Sequence, residues 1–130
     1  MTPLVRIATP EDLVFIRSSW KTDAWKSSSA GKRMSHRVFA EGMTSRIARL
    51  IPKSTLYVAY LKEVPDEVLG WLCLEDDVIH YVYVKAAYRR HGIAKGLCDG
   101  KVRWYSHATN ETGKAFMESV KAQYNPFLVE

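Results

Sequence analysis

The chain has little cysteine and no long apolar run. Two cysteines in 130 residues, Cys73 and Cys98, are too few for a fold stapled by disulfides. One falls in a strand-like segment and the other in a helix-like one, which suits reduced thiols serving as small apolar fillers. The four histidines, at positions 36, 80, 91 and 107, form no i, i+4 pair, and there is no Cys-x-x-Cys, so no metal site is expected. No segment reaches the length of a membrane span, and the first residues lack the charged and apolar regions of a secretory signal. A cytoplasmic location without membrane contact is the expectation. Internal repeats are also lacking.

What is present is an ordinary globular balance, 47% hydrophobic and 25% charged, in a chain long enough for one domain with its own core. The formal charge of +5 favours an acidic partner, whether a phosphate-bearing small molecule, nucleic acid or an anionic protein surface.

The most informative stretch is residues 84–97. Val78 to Val84 is dense in β-branched and aromatic residues and reads as a strand, and Ile93 to Lys101 reads as a short helix ending near Gly100. Between them lies Arg89-Arg90-His91-Gly92-Ile93-Ala94, which fits Arg/Gln-x-x-Gly-x-Gly/Ala. A helix start leaves several N–H groups unpaired, with partial positive charge, and a phosphate oxygen satisfies them. Gly92 lets the backbone approach, Arg89 and Arg90 add charge, and Ala94 keeps the helix face clear. The competing reading is a solvated turn with Gly92 as a hinge.

Elsewhere, Val5-Arg6-Ile7 reads as a strand. Thr9-Pro10-Glu11-Asp12 starts a helix that carries Leu13, Ile16 and Trp20 on one face to about Trp20. Lys21 to Arg33 is polar and reads as a connection. Ser35 caps a second helix, with Met43 and Ile47 on its apolar face, before Pro52. Residues 56–84 read as an antiparallel meander. Lys101 to Ala108 is a strand candidate. A helix capped by Thr109 or Asn110, aligning Phe116, Val120 and Tyr124, precedes a last strand at Phe127-Leu128-Val129.

The predicted order is β-α-α-β-β-β-α-β-α-β, a mixed α/β (α+β) sheet in a single domain over residues 1–130. With Val84, Tyr88, Arg89, Gly92 and Ala94 in place, the chain resembles the Gcn5-related N-acetyltransferase superfamily, whose segment reads Val-x-Pro-x-Tyr-Arg-x-x-Gly-x-Gly/Ala. Ala86 stands where proline is common. The single strand after the last helix replaces a usual hairpin, leaving the acceptor side open or completed by a second copy as a homodimer. In style the chain also resembles small phage acetyltransferase-like proteins.

The resemblance implies acetyl-coenzyme A as cofactor and transfer of its acetyl group to an amine. The main chain of Val82, Tyr83 and Val84 would pair with the pantetheine arm. Arg89, Arg90, His91, Gly92, Ile93, Ala94 and Lys95 would hold the diphosphate, with Asn110 nearby, and the Val84 N–H would face the acetyl carbonyl. Relatives often carry a carboxylate base where this chain has Val78. An imidazole titrates near neutrality, so His80, read by alternation on the set of Val78, Val82 and Val84, is the first candidate base. The alternative is a core histidine. Glu75 and Asp77 are further candidates. The tyrosine that relatives place seven residues after an asparagine is Met117 here, which leaves Tyr105, His107 or Tyr124 as substitutes for the acid. Arg17, Trp20, Trp25 and Arg37 are the candidate acceptor-binding residues. The acceptor, a small molecule or a protein, is not readable. Two other functions compete: a cofactor-binding module with little or no turnover, and a nucleic-acid-binding or modifying protein, favoured by charge and by the pairs Trp20-Lys21 and Trp25-Lys26.

Overall fold

The β-rich middle of the chain folds back on itself twice. In the computed structural model, which describes residues 2–27, 33–105 and 111–125, β2 (Thr55–Tyr60), β3 (Gly70–Glu75) and β4 (Val78–Val84) form an antiparallel meander. Alternating side chains serve two separate cores. Leu56, Val58, Trp71 and Cys73 face one layer, and Ala59, Leu72, Leu74 and Ile79 face the other. At the meander's outer edge, β1 (Leu4–Ile7) pairs antiparallel with β2. On the other side β5 (Trp104–Tyr105) and β6 (Gln123–Tyr124) continue in parallel, so the sheet runs β1-β2-β3-β4-β5-β6.

Among the described residues four α-helices cover the sheet. The layer on the Trp71 face is α1 (Asp12–Ser27) and α2 (His36–Leu50). Ile16, Trp20 and Ala24 recur four residues apart along α1 and are all buried. Trp20 packs on both Trp71 and Tyr81, with ring centroids 5.1 and 5.4 Å away. The Trp71 indole N–H donates to Ser19 Oγ at 2.9 Å, so the polar edge of this buried ring is satisfied. The opposite layer holds α3 (Ile93–Cys98), whose Ile93, Leu97 and Cys98 are buried, and α4 (Glu111–Ser119) with Met117. Each large apolar side chain removed from water contributes about 1.5–3 kcal/mol.

Several boundaries differ from the sequence reading. The first helix continues through the polar stretch to Ser27, because Ala24 extends the buried stripe beyond Trp20. Its start also differs in detail: the Asp12 carboxylate accepts from the Thr9 N–H at 2.7 Å and from the Arg6 guanidinium at 2.7 Å. The Arg6 hydrogen bond holds the Asp12 carboxyl below the ordinary aspartate range. The second helix starts as read, with Ser35 Oγ accepting the Val38 N–H. The last helix ends at Ser119 and not at Tyr124, since Lys121 turns left-handed (φ 61°) and leads into β6. Of the strand read over Lys101 to Ala108, the described part holds β5 at Trp104–Tyr105; residues 106–108 and the strand read at 127–129 lie outside the described residues. Burial pushes the free thiols of Cys73 and Cys98 up to about 11 and about 12, so both stay protonated fillers. Among the described residues no helix is long and apolar enough to cross a membrane.

One glycine is required by packing alone. A Cβ at Gly70 would stand 2.5 Å from the Tyr83 carbonyl oxygen and 3.2 Å from Val84 Cα, both main-chain atoms of the adjacent strand. Gly70→Ala is expected to force β3 and β4 apart and cost about 1–3 kcal/mol. The check is the denaturant midpoint; an undiminished midpoint would contradict the close strand approach.

Candidate active site

Among the described residues β5 pairs with β4 at Val78 and Ile79, the first two residues of that strand. A bulge follows, where the register of β4 against β3 shifts between Cys73 and Leu74: Ile79 faces Leu74, Tyr81 faces Cys73, and His80 is the extra residue. The bulge also resets the side-chain faces. Ile79 joins Val82 and Val84 on the α3–α4 side, while His80 reaches Glu75 and Tyr81 packs with Trp71. The simple alternation that grouped His80 with Val82 and Val84 is thereby corrected.

Beside β4 lies a cleft of about 640 Å³ lined by residues from α1, β4, the loop after it, α3 and α4. The ladder pattern determines which main-chain groups face it. Lys85 N–H donates to the Leu69 carbonyl at 2.9 Å while Val84 stands opposite Gly70. Ladder bonds to β3 therefore fall on Tyr83 and Lys85, and the N–H and C=O groups of Val82 and Val84 point the other way, away from β3. Tyr83, grouped with them on sequence, spends its main-chain groups on β3; only its side chain lines the cleft, edge-on to Phe15 at 6.1 Å.

At the upper end the chain makes a tight, left-handed loop. Arg90 (φ 67°) and Gly92 (φ 77°, ψ 12°) are both left-handed, and Gly92 caps α3. The first bond of that helix joins Gly96 N–H to the Gly92 carbonyl at 2.9 Å, so the N–H groups of Ile93, Ala94 and Lys95 precede the helical pattern. Successive amides turned inward by left-handed residues make an anion-binding concavity. Arg89, Arg90, Gly92, Ile93, Ala94 and Lys95 all line the cleft; His91 is exposed and does not.

A polar chain crosses the opposite wall. The Tyr81 hydroxyl donates to Asp23 Oδ2 at 2.6 Å, Arg89 approaches Asp23 Oδ1 at 3.5 Å, and Arg89 Nε donates to the Val84 carbonyl at 2.9 Å. Burial, and then the Asp23 carboxylate, push the Tyr81 phenol far above its ordinary value, so its proton stays on oxygen. At the floor, the His80 ring is almost fully buried. Its Nε2 lies 2.8 Å from Glu75 Oε1, and Nδ1 has no hydrogen-bond partner among the described residues.

The remaining sequence candidates scatter. Tyr105 is a buried core residue, its ring 5.5 Å from that of Tyr124, and is outside the cleft lining. Met117 does line the cleft. His107 and Asn110 lie outside the described residues. Of the acceptor candidates, Trp20 is sealed in the core, Trp25 packs on His36 and Phe39, and Arg17 and Arg37 are exposed on their helices; the structure does not gather them at the cleft. Asp23, Ser27 and Tyr81 occupy that wall instead. The sequence signal for them was the Ile16, Trp20, Ala24 spacing, which carries α1 far enough to bring Asp23 over β4.

The fold is shared with solved acetyltransferase structures. A protein from Clostridium difficile 630 named a possible acetyltransferase aligns over 100% of this chain and 98% of its own, with a TM-score of 0.59 at 22% identity. One from Pyrococcus furiosus, provisionally named an acetyl transferase, aligns over 95% of this chain and 80% of its own, with a TM-score of 0.60 at 14% identity. A GCN5-related N-acetyltransferase from Rhodopseudomonas palustris aligns over 76% of this chain and 62% of its own, with a TM-score of 0.54 at 20% identity. The chain has the GCN5-related N-acetyltransferase fold. No family model and no curated protein matches its sequence.

Proposed function

We propose that the protein is an acetyl-coenzyme A-dependent N-acetyltransferase. The observation that carries this reading is the outward main chain of Val82 and Val84 beside the left-handed loop in one continuous cleft. An extended amide-bearing chain can add to such a strand edge as a further strand, and a diphosphate can sit on the loop amides. Arg89, Arg90 and Lys95 supply positive charge at the same end. Both features suit coenzyme A, which joins a pantetheine arm to a diphosphate. Bound there as its acetyl thioester, the cofactor would supply an activated acetyl group.

The chain's own groups have distinct roles in this reading. The Val84 N–H donates to the acetyl oxygen as negative charge grows on it. His80, at the cleft floor, accepts a proton from the attacking amine. Asp23, the one carboxylate among the described cleft-lining residues, suits an acceptor that arrives as a cation. The nucleic-acid reading loses its aromatic platform, since Trp20 is buried and Trp25 is packed between helices. A second reading, a cofactor-binding module with little turnover, is favoured by Met117 lining the cleft where relatives carry a phenol.

Calorimetry tests the proposal. Coenzyme A should bind one per chain, and acetyl-coenzyme A with a panel of amines should release thiol. Lack of any heat with coenzyme A would contradict the assignment; binding without thiol release from any amine would favour the second reading.

A further inference from the structure

Resting on the reading of His80 as the base, we infer that Glu75 is its positioning residue: the carboxylate holds the ring in the tautomer that leaves Nδ1 free to take a proton. An ionised carboxylate only accepts hydrogen bonds, so at 2.8 Å Glu75 Oε1 requires the proton on His80 Nε2. A neutral imidazole carrying that proton has its lone pair on Nδ1, the ring atom without a partner among the described residues. The bulge makes the pairing available. Glu75 stands opposite Val78, and the extra residue swings the His80 side chain back along β3 to meet it.

The environment supports a charge that comes and goes. The His80 side chain is 2% exposed and Glu75 is 32% exposed, with Lys53 Nζ 3.8 Å from the same carboxylate oxygen. A buried imidazolium is costly unless a counter-charge touches it, and Glu75 is that counter-charge. In the transfer step the amine N–H bond breaks as its nitrogen adds to the thioester carbon. Nδ1 is itself enclosed, so it gains that proton through a water at the cleft, and the ring becomes an imidazolium paired with Glu75. The carbon–sulfur bond then breaks, coenzyme A leaves as the thiolate, and the ring returns its proton to water. Glu75 touches neither substrate.

The test is the nitrogen-15 NMR spectrum of the His80 ring in the unliganded protein, read for wild type and Glu75→Ala. Wild type should show a protonated Nε2 and an unprotonated Nδ1. Glu75→Ala should lose that preference, retain coenzyme A affinity, and lower kcat of any amine turned over by about ten-fold or more, the scale of lost base orientation. A wild-type ring protonated on Nδ1 alone, or a variant with the same tautomer and rate, would overturn the inference. The wild-type spectrum needs no altered protein and no acceptor. Failure of coenzyme A to bind would instead strike the proposed function.

Discussion

Gly92→Val is expected to weaken coenzyme A binding by about ten-fold or more, the equivalent of about 1.4 kcal/mol. Gly92 adopts φ 77°, a conformation that costs a residue bearing a Cβ about 1–2 kcal/mol. None of the chain's own described atoms lies within 4 Å of the Cβ that would be added, so the core is not displaced. The loss therefore falls on the loop. Either the loop relaxes and its amides cease to converge, or it holds and a branched side chain stands in the concavity. Calorimetry against wild type reads the effect, and an unchanged affinity would mean that the loop amides do not hold the ligand.

His80→Ala has the opposite signature. It removes the one imidazole that lines the cleft among the described residues, so acyl transfer at neutral pH should fall by about 10²–10⁴-fold, the usual contribution of a positioned base. Coenzyme A affinity should stay near wild type, because the loop and the Val82 and Val84 main chain are untouched. Single-turnover rates with saturating acetyl-coenzyme A give the comparison. A retained rate would return His80 to the role of a core histidine, hydrogen-bonded to Glu75 for structure alone. Because the ring is buried, a thermal melt of the variant accompanies the kinetics and separates lost chemistry from lost folding.

Much of the architecture could be read from residue pattern because its signals are local. β-branched and aromatic runs broken at Asp76 and Asp77 give the meander, Ser35 gives the start of α2, and Gly92 gives the turn into α3. Signals that depend on non-local packing were silent. The bulge at His80 arises from the match between β3 and β4, and nothing in the heptapeptide of β4 announces it. Lys121 ends the last described helix in a left-handed conformation without glycine or proline to mark the place. At the candidate site, the left-handed turn into α3 was legible because Gly92 marks it. The wall formed by Asp23, Ser27 and Tyr81 was not. Tryptophans attract attention as ligand platforms, but at helical spacing opposite a sheet they are core, as Trp20 is. Asp23 was hidden by the polar residues around it, which resemble a connection until Ala24 is seen to continue the buried stripe.

The most direct measurement is a backbone amide NMR titration with coenzyme A. If the ligand lies along the outer edge of β4, the largest shifts fall at Val82, Val84 and residues 90–95, and the Val82 and Val84 amides become slower to exchange with solvent. Shifts confined to other surfaces, with those amides unmoved, would contradict the account.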